Sequence, residues 1–144
     1  MKHIVYVSQA EHPFSAWELA NLLETSRARN VSDGISGLLI YRLNPEYNRG
    51  NFVQAIEGPE AEIDSLWSRI TRDNRHHTIV VVQEGSIEAR MFDGWSMGFK
   101  NADAEDLAGF AGFSDLGSDT FWSDISPASA AGALELLRNF YDGA

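Results

Sequence analysis

Tyr6, Gln54 and Asn30 are the polar side chains that sit most oddly among apolar neighbours in this chain. Tyr6 stands in the run HIVYVS, Gln54 inside FVQAI, and Asn30 directly after a helix-like stretch. A buried glutamine brings N–H donors and a carbonyl acceptor, and buried polar groups need partners. A tyrosine hydroxyl can meet part of that demand, and a further planar, polar, buried partner would meet the rest. Taken alone, the same residues also fit a glutamine bonded to backbone and a tyrosine that fills core.

Other candidate chemistry is weaker. RDNRHH (Arg72 to His77) closes a helical pattern. Its adjacent histidines lack the i, i+4 spacing of a helical metal site, so no metal site is expected. Cations near a helix C-terminus are the simpler reading. Trp95-Ser96-Met97 would ordinarily be an edge of the core. Neither G-x-G-x-x-G nor a P-loop is present, and no Ser–His–Asp set stands out.

The elements that must position these residues follow from periodicity. Residues 2–8 read as a first strand; Ser15 caps a helix striped by Leu19, Leu22 and Leu23 up to about Ala28. The composition N-V-S-D-G predicts a turn from Asn30 to Gly34. ISGLLIY (35–41) is apolar on both faces and so a central strand. Leu43 to Asn51 reads as a long hairpin loop, and 52–56 as a third strand. Pro59 opens a second helix with Ile63, Leu66, Trp67 and Ile70 at i, i+3, i+4, i+7. TIVVVQ (78–83) is a fourth strand, and a short fifth is expected near Ala89 to Phe92. Residues 101–126 are acidic, rich in Gly and Ser, and without a clean period. Pro127 is expected to open a last amphipathic helix with Leu134, Leu137, Phe140 and Tyr141 on one face.

The order β-α-β-β-α-β predicts an α+β, ferredoxin-like fold with an extra short strand and a C-terminal helix on the sheet. Such a sheet puts the first and third strands side by side at its centre. Tyr6 and Gln54 can then meet on one face, under the helices.

Composition limits the function. The 144 residues suit one domain, with 44% hydrophobic and 22% charged residues. A net charge of −10, from 11 Lys and Arg against 21 Asp and Glu, argues against nucleic acid or an anionic membrane as partner. The absence of cysteine excludes disulfides, Cys-ligated zinc, iron–sulfur clusters and thiol nucleophiles. No signal peptide or membrane-spanning run is evident, so a cytoplasmic location is expected.

Five segments in order, HIVYVSQA, SRARNVSDGISGLLIY, FVQAIEG, RITRDNRHH and FDGWSMGF, resemble the BLUF family of flavin-binding blue-light sensors. The resemblance covers roughly residues 2–100. It implies a non-covalently held flavin, FAD or FMN, between the two helices and the sheet. Tyr6 matches the family's photoactive tyrosine, which gives an electron and a proton to the excited flavin. Gln54 matches the glutamine bridging that tyrosine to the flavin, and Asn30 the asparagine on the ring's polar edge. Arg69, Asp73, Arg75 and His76 fall near the ribityl chain and outer part. Arg29, beside Asn30, stands where relatives vary and is counted with them. Trp95 and Met97 match a pair whose exchange in and out of the pocket is one proposed signal output. Ser36 replaces a threonine of many relatives and keeps the hydroxyl.

The resemblance implies a sensor rather than an enzyme. Residues 1–100 would form the photosensory domain and 101–144 an acidic segment with a capping helix. Signalling would run through a homo-oligomer or a downstream signalling protein. Three other readings stay in view: an interaction module without chromophore, an acylphosphatase-type hydrolase and a flavin-dependent redox catalyst. The first predicts a colourless protein. The second wants a basic loop after the first strand, where Ser8 to His12 is acidic, and the third an open substrate pocket.

Overall fold

The structure is a computed structural model that describes residues 1–110, 113, 116–123 and 132–143. β1 (Lys2–Ala10) carries the β-branched run read from the sequence. α1 (Ala16–Asp33) starts on Ser15, whose hydroxyl accepts from the Glu18 amide at 3.1 Å. The Glu18 carboxylate accepts from the Ser15 amide at 3.0 Å, completing a capping box. β2 (Ser36–Asn44) and β3 (Arg49–Gly58) form a hairpin, and α2 (Glu60–Thr71) follows Pro59. β4 (His76–Ser86) returns along β1, and β5 (Gly98–Ala102) lies parallel to β2. Two one-turn helices, α3 (Ala104–Leu107) and α4 (Asp119–Ser123), precede α5 (Ala133–Asp142).

The strand order is β4-β1-β3-β2-β5. The first four strands and two helices make the expected ferredoxin-like α+β core, with β1 and β3 antiparallel at its centre. Strand alternation divides the sheet into two cores. Ile4, Leu39, Tyr41, Phe52 and Ile56 face α1 and α2 with Leu19, Leu23 and Ile63. Val5, Val7, Leu38, Ile40, Val53 and Ala55 face the other way, against Leu107, Phe113, Leu116, Leu136 and Leu137. The expected C-terminal helix thus covers the second face, with Phe110, Phe121 and Trp122 packed beside it.

Several boundaries differ from the sequence reading. α1 runs through Asn30 to Asp33, and the turn is confined to Gly34, which takes the left-handed φ of 70°. The Asn30 carbonyl accepts from the Ile35 amide at 2.9 Å, closing the helix end. The long loop from Leu43 to Asn51 is mostly strand: Arg42 pairs with Asn51, Leu43 with Gly50 and Asn44 with Arg49. Only residues 45–48 turn. The Asn44 side chain accepts from the Glu46 amide there, and Asn48 adopts a positive φ. Gly50 pairs within the strand, and a glycine is needed there because a Cβ would strike the Tyr41 ring.

The fifth strand is Gly98–Ala102, not 89–92. The Met91 and Phe92 amides are instead taken by the Glu57 carboxylate, at 2.7 and 3.0 Å, and never join a ladder. Among the described residues of 101–126, α3 and α4 are single turns, too short to leave a period in the sequence. The expected opening of the last helix at Pro127 lies outside the described residues. Among those residues, no helix is long and apolar enough to cross a membrane. Nor could any group of three or more His, Cys, Asp or Glu among them hold a metal ion.

Candidate functional site

β1 and β3 are in register at Tyr6 and Gln54, and alternation turns both side chains toward α1 and α2. The Tyr6 hydroxyl donates to Gln54 Oε1. Tyr6 is 4% exposed. Burial pushes its phenol well above the usual tyrosine range, and the Asp73 charge adds to this. The hydroxyl therefore stays protonated, its proton aimed at the amide oxygen. Trp67 of α2 meets the Tyr6 ring edge-on at 5.3 Å and holds its orientation. Gln54 is only half-buried and donates through Nε2 to Met97 Sδ at 3.4 Å. A thioether is a weak acceptor, so the amide keeps bonding capacity toward the space beside it.

That space is a cavity of about 210 Å³ between the two helices and the sheet. Leu22, Leu66 and Ile70 wall it on the helix side, Leu39 and Phe52 on the strand side. The sequence reading left these out because they look like ordinary stripe residues. Tyr6, Gln54 and Asn30 form one polar edge. Arg29, Arg69, Asp73, Arg75 and His76 also line it, so eight cofactor-contacting candidates share one cavity.

Asn30 is 3% exposed and donates from Nδ2 to the Ser96 carbonyl at 2.7 Å. Arg27, absent from the sequence reading, donates from Nε to the Met97 carbonyl at 2.8 Å. Its signal was available, because Arg27 lies three residues before Asn30 on one helix face. Met97 is buried against the cavity. Trp95 lies on the opposite face of the sheet, its ring 4.8 Å from that of Tyr141 of α5 at 65°. The chain crosses from one face to the other between them, so the expected pocket pair is split, one residue in and one out.

At the outer end, Arg75 grips Asp73 with Nη2 to Oδ2 at 2.5 Å and Nε to both oxygens at 3.0 Å. This holds the Asp73 carboxyl below the usual carboxylate range and raises Arg75. A bulge in β4, with Thr78 at a positive φ, swings His76 onto the cavity side. His76 Nε2 faces the Ile70 carbonyl at 2.7 Å and Nδ1 the Ser8 hydroxyl at 2.7 Å. A carbonyl only accepts, so Nε2 carries the hydrogen and Nδ1 can accept from Ser8. Arg69 donates from Nη1 to Ser65 at 3.2 Å, while its Nη2 is buried without a hydrogen-bond partner.

These residues fit a flavin: flat apolar walls for a tricyclic ring, amide groups for its polar edge, and guanidinium groups for a phosphate. The orphaned Arg69 Nη2 marks where such an anion would complete the site.

Over residues 1–98 the chain matches the family model described as BLUF, sensors of blue-light using FAD. Photoactivated adenylate cyclase subunit alpha of Euglena gracilis is 37% identical over 123 residues, 85% of this chain and 11% of that protein. The chain therefore spans about a tenth of the length of that curated relative. Among solved structures, the dark state of BlrB, a BLUF protein, superposes with a TM-score of 0.72 at 26% identity, covering 99% of this chain and 96% of that one. A bacterial light-regulated adenylyl cyclase gives a TM-score of 0.61 at 34% identity, covering 70% of this chain and 27% of that one.

Proposed function

Because this chain belongs to the BLUF family of flavin-binding blue-light sensors, we propose that it reads light through Tyr6 and Gln54, with the flavin seated between α1 and α2. The observation that carries this reading is the Tyr6–Gln54 hydrogen bond opening onto the cavity, with Gln54 Nε2 on the weak acceptor Met97 Sδ. When bound, the flavin supplies absorption of blue light and, once excited, an oxidant that a phenol can reduce. Tyr6 would give the electron, and its phenolic proton would enter Gln54 at Oε1 along the bond already in place and be passed on from Nε2. Electron and proton then return to Tyr6, so that the lasting change is in the Gln54 amide alone. The Gln54 amide rotates or tautomerises, exchanging donor for acceptor, and gives up its contact with Met97. In a buried site such an exchange biases its surroundings more than it would in water.

Asn30 holds the ring's polar edge while pinning Ser96. His76 and the Asp73–Arg75 pair shape the outer cavity, and Arg29 and Arg69 favour a phosphate-bearing flavin, FAD or FMN. Trp95, on the far face, reports the change to α5. Residues 1–100 form the sensing unit and 101–144 its cap. The chain acts as a sensor without catalysis of its own, in the cytoplasm. Its output passes to a second copy or to a downstream signalling protein, as the cyclase named among its relatives would be for its own light-sensing part.

The test is an absorption spectrum of the purified protein before and after blue light. A flavin spectrum that shifts slightly to the red and recovers in darkness is expected. A colourless protein, or a flavin that never shifts, contradicts the reading. Light scattering in darkness and in light checks the assembly, and a monomer in both excludes the homo-oligomer.

A further inference from the structure

Glu57 is the one carboxylate among the described residues of the sheet's interior strands that is almost wholly enclosed, at 1% exposure. It sits on the α5 side, opposite Ser36 of β2 and His3 of β1. Burying a carboxylate is costly unless its oxygens are fully bonded. Here they are. Oε1 accepts from the Met91 amide at 2.7 Å, and Oε2 from the Phe92 amide at 3.0 Å and the Ser36 hydroxyl at 2.7 Å. Arg90 Nη1 in turn donates to the Ser36 hydroxyl at 2.8 Å, and its Nη2 to the Gly34 carbonyl at 2.6 Å. His3 faces the same carboxylate. Burial lowers its imidazole from the usual histidine range, so the nearest lasting cation is Arg90.

What the cluster holds gives it meaning. Residues 90–97 run from the α5 face to the cavity face. Phe92 is buried against α5, edge-on to Tyr141 at 5.3 Å, and its carbonyl accepts from the Trp95 amide at 3.1 Å. Across the crossing, three successive carbonyls are held: Trp95 by the Gly37 amide of β2, and Ser96 and Met97 by Asn30 and Arg27 of α1. One end of the segment is thus tied to a buried carboxylate, and the other to the residues around the cavity.

We propose that Glu57, with Ser36 and Arg90, is a positioning residue for the light response: it anchors the α5-side end of residues 90–97 so that Met97 is presented to Gln54. The proposal rests on the reading of Gln54 given above. Glu57 touches neither the cavity nor Gln54 and acts through the segment. An anchored segment favours the dark arrangement, because Met97 returns to the amide each time it leaves. Loosening the anchor therefore slows the return.

Glu57→Gln is the discriminating variant. It preserves volume but turns one oxygen into an NH₂ group facing other donors. Dark recovery should slow about fivefold, the size expected when one link of a coupled network is cut. Amide hydrogen exchange in the peptide spanning 90–97 should rise in darkness, while the light-induced shift keeps its size. Ser36→Thr, which keeps the hydroxyl, should recover at the parental rate. Leu116→Ala, a cavity at the far end of the same face, should lower stability without slowing recovery. If Glu57→Gln does not fold, Ser36→Ala and Arg90→Lys carry the same test. Parental recovery and exchange in the Glu57 variant, or equal slowing in Leu116→Ala, overturns the proposal. A parental protein with no light-induced shift overturns the reading of Gln54 instead, and the exchange data still judge the anchor.

Discussion

On the α5 side of the sheet, Val5, Val7, Leu38, Ile40, Val53 and Ala55 meet Leu136 and Leu137, and the apolar surfaces close on one another. On the α1 and α2 side, the same strands place Tyr6, Ser8 and Gln54 among apolar neighbours, and a cavity remains. The two sets are offset by one residue along each strand, so one register builds both. The difference shows where stability is concentrated. Away from the Glu57 cluster at one end, the closed face contributes burial without needing partners, whereas the polar, unfilled face is completed by a ligand and can have two hydrogen-bond arrangements.

Making the cavity face resemble the other should have the largest effect. Gln54→Leu should keep the flavin bound and abolish the light-induced shift, read by difference spectroscopy. The converse change, Leu136→Ala on the closed face, should cost roughly 2–5 kcal/mol in urea unfolding and leave the shift intact. Loss of the shift there would show that the two faces are not separable.

Arg69→Ala sharpens the comparison at the outer end. It should weaken FAD or FMN by roughly tenfold, the scale of one charge-assisted hydrogen bond, and riboflavin much less. Equal losses for all three would remove the phosphate role. The Asp73–Arg75 pair predicts a smaller, pH-dependent effect. Asp73's folded carboxyl lies below its unfolded value, so its stabilisation is full above about pH 4 and is lost as pH falls through the lower folded value. Asp73→Asn should flatten that acid limb of stability, read by thermal unfolding between about pH 5 and pH 2. The smallest change is Ser15→Ala at the start of α1, about 1 kcal/mol in thermal unfolding with an unaltered spectrum.

The central pair was legible in the sequence because it needs only strand order and alternation. β1 beside β3 puts Tyr6 against Gln54 whatever the loops do. Asn30 to Asp33 was misread because Asn, Ser, Asp and Gly favour turns locally, while Asn30's bond to Ser96, made 66 residues away, keeps the helix going. β5 was misplaced because the Met91 and Phe92 amides bond to a side chain, which no strand pattern reports. The separation of Trp95 from Met97 depends on where the chain crosses the sheet, a tertiary fact with no local signature. Glu57 was missed for a related reason, since it acts by bonding distant backbone, whereas Arg27 was passed over although its helix spacing to Asn30 was readable.

The most direct test is Tyr6→Phe, which removes a single oxygen from the Tyr6–Gln54 bond and leaves the ring packed against Trp67. The illuminated variant should show a bound flavin with no red shift at any time after the flash. A shift of parental size and recovery would contradict the role given to this hydrogen bond.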